Sequence, residues 1–233
     1  MDHTHRPERV LAVAAHADDE ILGAGGTLAV HTLAGDPLMI LILSHSATSR
    51  PTGDEQVRAH RAGSARKVAG LYGAELRLTD FPDNAFDTVP RLAITRTVED
   101  AVRAWSPTVV YTHSTADLSH DHRLTAEAVA AATRPQPGST VRTVLAFEVR
   151  SATEWGCGRA FSPTWFQTLT PEAVELKRRA LAVYGSEMRP WPHTRSTRAL
   201  DAQTAVRGAQ VGVPEAEAFE LIRHRQPPRP PVV

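Results

Sequence analysis

The stretch Val10-Leu11-Ala12-Val13-Ala14-Ala15-His16-Ala17-Asp18-Asp19-Glu20 decides the predicted fold. Its first six residues form a continuous apolar run, which is typical of a parallel strand covered on both faces. The run ends in polar residues, and helical spacing follows from about Ile21 to Leu33, just before Gly35. A buried strand, a polar turn and a helix in this order indicate the start of a doubly wound α/β sheet.

The same alternation continues along the chain. Strand-like runs and helical patterns follow one another, with strands expected at 38–43, 75–78, 109–112 and 143–148 and helices at 54–71, 90–105, 124–133 and 172–184. Repeated units of this length predict a mostly parallel sheet with helices on both faces. We expect residues 1–226 to form a single domain and the Pro-rich tail 227–233 to be disordered.

Composition excludes several classes of protein. The chain has 233 residues, 26 of them Lys or Arg and 26 Asp or Glu, so it lacks the basic stripe that nucleic-acid binding requires. It has no run of about 18 apolar residues and no apolar secretory segment near Met1, which predicts a cytoplasmic protein without a membrane partner. Cys157 is the single cysteine, so an internal disulfide and a Cys-rich zinc site are excluded.

Two polar clusters follow predicted strands. His16, Asp18, Asp19 and Glu20 come directly after the first strand, and a second cluster at 117–122 follows the strand at 109–112. Carboxyl ends of parallel strands meet at one edge of the sheet, where ligands bind. Adjacent carboxylates repel one another unless a cation or a proton intervenes. The two loops together could therefore supply the three protein ligands that a catalytic zinc usually takes.

A helix start is the alternative explanation of the first cluster. Asp18 or Asp19 could cap the helix, and Glu20 would favour the helix dipole. The glycines of Gly23-Ala24-Gly25-Gly26 do not form a dinucleotide fingerprint, because Leu28 occupies the position of its third glycine. We expect these glycines to allow close packing of the helix.

The sequence resembles the PIG-L or LmbE-like zinc-dependent de-N-acetylases, whose first motif is His-Pro-Asp-Asp-Glu and whose second ends in Asp-His. The matching segments span nearly the whole chain, from His16-Ala17-Asp18-Asp19-Glu20 through Phe81-Pro82-Asp83-Asn84 and Ser119-His120-Asp121-His122 to Ser151-Ala152-Thr153-Glu154-Trp155 and Ala216-Glu217-Ala218-Phe219. The resemblance implies a Rossmann-like fold and one zinc ion per chain. It also implies that His16, Asp19 and His122 bind the zinc and that Asp18 is the general base.

The activity that the resemblance implies is removal of an N-acetyl group from an amino sugar or glycoconjugate, by Asp-assisted attack of zinc-activated water. We expect substrate contacts from several polar side chains, namely Arg50, Asp83, Asn84, Asp87, His113, Arg123, Glu154 and Arg195. Asp121 is expected to orient a metal-binding imidazole. The partner is thus a small acetylated sugar, and a homo-oligomer is compatible with the sequence.

Two positions depart from the family pattern. Ala17 replaces the frequent proline of the first motif, and Ser119 stands where many members have a histidine that stabilises the oxyanion and helps to protonate the leaving amine. His120 and His193 are our candidates for this role, with His113 and Glu154 as further ones.

Two other functions stay open at this point. Because Ser119 replaces the usual histidine, the chain could instead be a zinc-containing protein that binds carbohydrate without catalysis. The pattern His16-x-Asp18 with a distant histidine is also the facial triad of iron(II) oxygenases, in which Asp18 would be a ligand. The predicted parallel sheet disfavours the oxygenases of this type, which have antiparallel β sandwiches.

Overall fold

Seven strands form one sheet in the structure, a computed structural model that describes residues 7–45 and 55–226. The strands are β1 (Val10–His16), β2 (Leu38–Ser44), β3 (Glu75–Leu78), β4 (Val109–His113), β5 (Thr143–Phe147), β6 (Trp165–Thr168) and β7 (Ala216–His224). Their order is β3-β2-β1-β4-β5-β7-β6. The first five strands pair in parallel, whereas β7 runs antiparallel to both β5 and β6. The prediction of a mostly parallel α/β sheet is confirmed.

Helices cover both faces of this sheet. They are α1 (Asp19–Leu33), α2 (Glu55–Leu71), α3 (Arg91–Trp105), α4 (His120–Ala132), α5 (Pro171–Val183) and α6 (Thr197–Ala209). Successive side chains of a strand point to opposite faces, so Val10 and Ala12 pack with residues of α1, α2 and α5. Leu11 and Val13 pack instead with residues of α3 and α4. This double coverage explains why the strand of the opening motif is apolar at every position.

The C-terminal third contains the elements that the sequence did not predict. β6, α6 and β7 follow the region of irregular pattern, and β7 adds an antiparallel strand between β5 and the edge strand β6. The start of α4 also differs, because this helix begins at His120 rather than near Leu124. The tail 227–233 lies outside the described residues. No described helix combines the length and apolar character needed to cross a membrane.

Candidate metal centre and cavity

The site lies at the carboxyl ends of β1 and β4, where the two polar clusters meet. His16 is the last residue of β1, Asp19 is the first residue of α1, and His122 lies in the first turn of α4. Oδ2 of Asp19 is 3.2 Å from Nδ1 of His16 and 3.2 Å from Nε2 of His122. The structure therefore brings together the three side chains that the sequence predicted as metal ligands.

A carboxylate faces the other nitrogen of each imidazole. Oδ2 of Asp121 is 2.9 Å from Nε2 of His16, and Oδ2 of Asp117 is 3.1 Å from Nδ1 of His122. Asp121 thus contacts the histidine of the other loop rather than its sequence neighbour. Such carboxylates fix the orientation of a metal-binding ring and raise its basicity.

This donor set fits a divalent cation. One ligand atom from each of His16, Asp19 and His122 lies within 4.8 Å of the other two. Oδ1 of Asp19 is buried and accepts no hydrogen bond from any residue in the described part of the chain, which is costly for a carboxylate oxygen without a further partner. Two imidazoles and one carboxylate are a usual ligand set for catalytic zinc.

Electrostatics in the cluster favour added positive charge. Burial alone would lower the pKa of His16, but its hydrogen bonds to Asp121 and Asp19 raise that pKa to about 10. Burial likewise opposes the charged form of His122, yet the nearby Asp19 and Asp117 raise its pKa to about 9. Burial opposes ionisation of Asp19, but His122 and His16 hold its pKa well below the usual range. Carboxylates thus dominate the local field.

Asp18 differs from its neighbour Asp19 in its contacts. It occupies the N-cap position of α1 with φ 115°, a region that residues other than glycine rarely adopt, and its side chain makes no capping hydrogen bond. Its Oδ2 instead accepts a hydrogen bond of 2.8 Å from Nη1 of Arg195. Burial raises the pKa of Asp18 to about 7 against the opposing charge of Arg195. A carboxylate with this pKa can both accept and return a proton near neutral pH.

A cavity of about 320 Å³ opens above these groups. Its lining is mostly polar and charged, comprising His16, Asp18, Asp19, Arg61, Asp83, Asn84, Ser119, His122, Ser151, Ala152, Glu187, Arg189 and Arg195. Arg61, Glu187 and Arg189 belong to no motif that the sequence singled out. Arg61 comes from α2 and the other two from the loop after α5, and only the tertiary fold brings these segments to the strand ends.

Three of the predicted substrate contacts, Asp83, Asn84 and Arg195, line this cavity, whereas Asp87 does not. Asp83 is 5% exposed and accepts a hydrogen bond of 3.2 Å from Arg61. Asn84 donates from its amide side chain to Asp83 at 3.1 Å. The loop that carries both is held by Asp121, which accepts hydrogen bonds from the backbone N–H groups of Asn84 and Phe86.

The loop before α4 contains three more residues of the predicted site. Ser119 lines the cavity and caps α4 by accepting a hydrogen bond of 3.4 Å from the backbone N–H of His122. His120 is exposed, does not line the cavity and lies 3.0 Å from Nη2 of Arg123. Arg123 donates to the carbonyl oxygens of Asp117 and Leu118, so it braces this loop rather than facing the cavity.

The remaining predicted residues lie around the cavity or outside the described chain. His113 is fully buried beneath His122, and its Nε2 accepts a hydrogen bond from the backbone N–H of Ala15. Glu154 is exposed and accepts hydrogen bonds from the backbone N–H groups of Ser151 and Ala152. His193 is exposed and does not line the cavity, and Arg50 lies outside the described residues.

Solved structures with the same fold include enzymes of two kinds. N,N'-diacetylchitobiose deacetylase from Pyrococcus horikoshii aligns with a TM-score of 0.73 at 17% identity, over 93% of this chain and 84% of that chain. Teicoplanin deacetylase Orf2 aligns with a TM-score of 0.74 at 17% identity, over 92% and 98%. GalB, the 4-carboxy-2-hydroxymuconate hydratase from Pseudomonas putida, aligns with a TM-score of 0.76 at 22% identity, over 96% and 100%. At these identities the likeness establishes the fold.

The sequence itself supplies the family assignment. A search of curated proteins gives no significant match. The family model of PIG-L, described as GlcNAc-PI de-N-acetylase, matches residues 11–133, which include both loops of the candidate metal centre. Because this match covers more than half of the 233 residues, the chain belongs to the PIG-L family.

Proposed function

We propose that the protein is a zinc-dependent amide hydrolase that removes an N-acetyl group from an amino-sugar-containing substrate. The observation that carries this proposal is the convergence of His16, Asp19 and His122 on one point, with the carboxylate of Asp18 facing the same cavity. The family match and the names of two structural neighbours, a chitobiose deacetylase and a teicoplanin deacetylase, support the same reaction.

His16, Asp19 and His122 would hold the zinc ion. When bound, zinc supplies a Lewis acid that polarises the amide carbonyl and acidifies water. Asp18 accepts the proton of the attacking water. Asp18 then returns this proton to the amine nitrogen as the C–N bond breaks, so that acetate and a free amino sugar leave. Asp19 is engaged by both imidazoles, whereas Asp18 is not, which divides the two roles between adjacent carboxylates.

The lining of the cavity suits a sugar. Asp83 and Asn84 offer acceptors and donors for hydroxyl groups, and Arg61 fixes the Asp83 carboxylate. The volume of about 320 Å³ lies within the range typical of small-molecule sites. We propose Asp83 and Asn84 as the residues that orient the sugar ring, and His120 and His193 receive no step in this mechanism.

The oxygenase alternative is not favoured by this geometry. It requires Asp18 as a metal ligand, but the oxygen that lies 3.2 Å from both imidazoles belongs to Asp19. Asp18 is hydrogen-bonded to Arg195 instead. The five parallel strands also differ from the antiparallel sandwich of those oxygenases.

Acetate release from a panel of N-acetylated amino sugars, glycosides and glycopeptides tests the proposal. The holoenzyme, loaded with one equivalent of zinc, should release acetate and free amine in equal amounts from at least one member. Zinc-dependent sugar binding without release would instead indicate the carbohydrate-binding alternative. Absence of both would contradict the proposal and direct attention to water addition, the reaction in the name of GalB.

The variant Asp18→Asn separates catalysis from metal binding. It should retain one zinc per chain by elemental analysis and lose about 10²- to 10⁴-fold in kcat, because the proton acceptor is gone. His122→Ala should lose the zinc as well as the activity. Asp100→Asn, an exposed carboxylate on α3, is the matched control and should keep both. Turnover by Asp18→Asn at the wild-type rate would contradict the assignment of the base.

A further inference from the structure

Arg195 brings a fixed positive charge into the cavity beside Asp18. Its Nη1 donates to Oδ2 of Asp18 at 2.8 Å, and its Nε donates to Oγ of Ser151 at 2.5 Å. The side chain is 21% exposed and lines the cavity. A guanidinium has five N–H donors in a planar fork, so these two contacts leave donors on the same group. Within residues 7–45 and 55–226, Nη2 of Arg195 has no hydrogen-bond acceptor.

The backbone of Arg195 is held by hydrogen bonds within its loop. The carbonyl oxygen of Arg195 accepts a hydrogen bond from the N–H of Arg189, and its own N–H donates to Nδ1 of His193 at 3.0 Å. The next residue, Ser196, caps α6. Because Asp18 and Ser151 also hold the guanidinium, this donor is already in position when charge develops near it, which is the condition for strong electrostatic stabilisation.

Other candidate donors around the site lie outside the cavity lining or are paired with carboxylates. His113 is fully buried and His120 is exposed, and neither lines the cavity. Arg61 also lines the cavity, but Asp83 and Glu187 lie 3.2 and 3.6 Å from its nitrogens. Arg195 is therefore the cation that directly contacts the proposed base.

We propose that Arg195 is a catalytic residue whose guanidinium hydrogen-bonds the carbonyl oxygen of the acetamide as negative charge develops on that atom. This inference rests on the proposed function, because it assigns a further role within the same hydrolysis. It also gives a role to a residue of the loop between α5 and α6, the loop that carries His193.

The electron and proton movements balance around this contact. Attack of water forms a C–O bond, moves the carbonyl π pair onto oxygen and transfers a proton to Asp18. Collapse restores the C=O bond, breaks the C–N bond and moves that proton from Asp18 to nitrogen. Arg195 donates hydrogen bonds throughout and transfers no proton, because a guanidinium does not deprotonate in proteins. Removal of one such donor from an enzyme typically lowers kcat about 10²- to 10³-fold.

Steady-state kinetics of Arg195 variants give the first test. On a substrate identified in the acetate-release panel, Arg195→Gln should lower kcat about 10²- to 10³-fold with little change in KM and with one zinc retained. Arg195→Lys should recover part of this loss, since it restores the charge without the fork. The control Arg198→Gln alters an exposed arginine that stacks on Trp191 and should leave both constants unchanged. Wild-type kcat in Arg195→Gln would overturn the proposal.

A double-mutant cycle distinguishes contact with substrate from action through Asp18. The probe is a methylphosphonamide analogue of N-acetylglucosamine, whose tetrahedral anionic group imitates the charge of the transition state. Its Kd is measured by calorimetry for the zinc-loaded wild type, Asp18→Asn, Arg195→Gln and the double variant. We expect Arg195→Gln to weaken binding at least 10-fold in both backgrounds. A loss seen with Asp18 present but absent in Asp18→Asn would make Arg195 a positioning residue and overturn the inference.

The outcomes separate this inference from the proposed function. Failure of the wild type to release acetate and to bind the phosphonamide would count against the proposed function itself. Acetate release by the wild type, with Arg195→Gln equal to wild type in kcat and in phosphonamide Kd, would leave the hydrolase intact and refute only the role of Arg195. If Arg195→Gln proves unstable by thermal denaturation, kcat and phosphonamide Kd are compared between the wild type and Arg195→Lys. Equality of both constants would then refute the role of Arg195.

Discussion

At the scale of single residues, the site depends on pairs of groups whose spacing in the sequence is large. His16 contacts Asp121 across the gap between the two loops of the candidate metal centre, and His122 contacts Asp19 in the opposite direction. Each loop therefore supplies a proposed ligand and also a partner for the proposed ligand of the other loop. The two loops depend on each other, so a change in one should alter metal binding by the other.

The variant Asp121→Asn tests this coupling. It removes the negative charge that lies 2.9 Å from Nε2 of His16, so the imidazole becomes a weaker donor toward the metal. We expect zinc affinity, measured by competition with a chromophoric chelator, to fall about 10- to 100-fold, as is typical for outer partners of metal-binding histidines. Asp100→Asn serves as the control with unchanged affinity. Equal affinities in the two variants would show that Asp121 does not support His16.

Residue identity could be predicted from sequence where it belonged to a local motif. Polar clusters after two strand ends predicted a metal site, and the resemblance to the PIG-L family assigned His16, Asp19 and His122 to it. Arg61 and Glu187 could not be found in this way, because their contribution depends on how α2 and the loop after α5 pack over the sheet. Side chains that reach a site from distant elements leave no periodic or local signal.

At the scale of elements, α1 places Asp19 because it packs unusually close to its neighbours. A Cβ atom at Gly23 would lie 2.2 Å from the ring of Phe147 on β5, and one at Gly26 would lie 2.6 Å from Leu169. The absence of side chains at these positions lets α1 lie directly on the sheet and beside α5. The expectation that these glycines serve close packing is confirmed.

The variant Gly23→Ala tests this packing. The added methyl group must displace the buried ring of Phe147, and overpacking of this kind costs about 1–3 kcal/mol in the free energy of unfolding. Gly63→Ala on α2 is the matched control, because a Cβ there has no atom within 4 Å. Since alanine favours helices, the control should stabilise the protein by about 0.5–1 kcal/mol. Denaturant unfolding of both variants measures the difference, and destabilisation by Gly63→Ala alone would contradict the argument.

Helices and strands of this fold differ in how well their sequences predict them. Strands β1 to β5 are apolar on both faces or follow a helix at regular spacing, so their sequence patterns were sufficient to predict them. The helix α6 buries only Leu200, Thr204 and Gly208, which form too small and too polar a stripe to indicate a core-facing helix. β7 pairs with β5, about 70 residues earlier in the chain, and antiparallel pairing over that distance has no local signature.

At the scale of the whole molecule, the sheet supports the cavity, which lies over the carboxyl ends of the central strands β1 and β4. The strands beneath the site are buried and flanked by two separate apolar cores, one on each face. The groups of the candidate metal centre come from residues 16–19 and 117–122, which are held near each other by the parallel pairing of β1 with β4. An unfolded chain cannot keep these groups together, so zinc should bind the folded state far more tightly.

Zinc should therefore raise the thermal stability of the whole domain. At a free zinc concentration 100-fold above its Kd, binding to the folded state alone contributes about 2.7 kcal/mol. For a domain of this size, that corresponds to a rise in Tm of roughly 5–10 °C. Calorimetry of protein stripped with a chelator and then titrated with zinc measures this rise.

Two histidine variants show where the zinc that raises Tm is bound. His60→Ala removes an exposed histidine on α2 and should preserve the full rise in Tm, which excludes weak surface binding as its source. His122→Ala removes one of the three converging ligands and should abolish most of the rise, because the remaining pair holds the ion too weakly to favour the folded state. An equal rise in the wild type and in His122→Ala would place the stabilising zinc elsewhere on the protein and contradict the metal centre between β1 and β4.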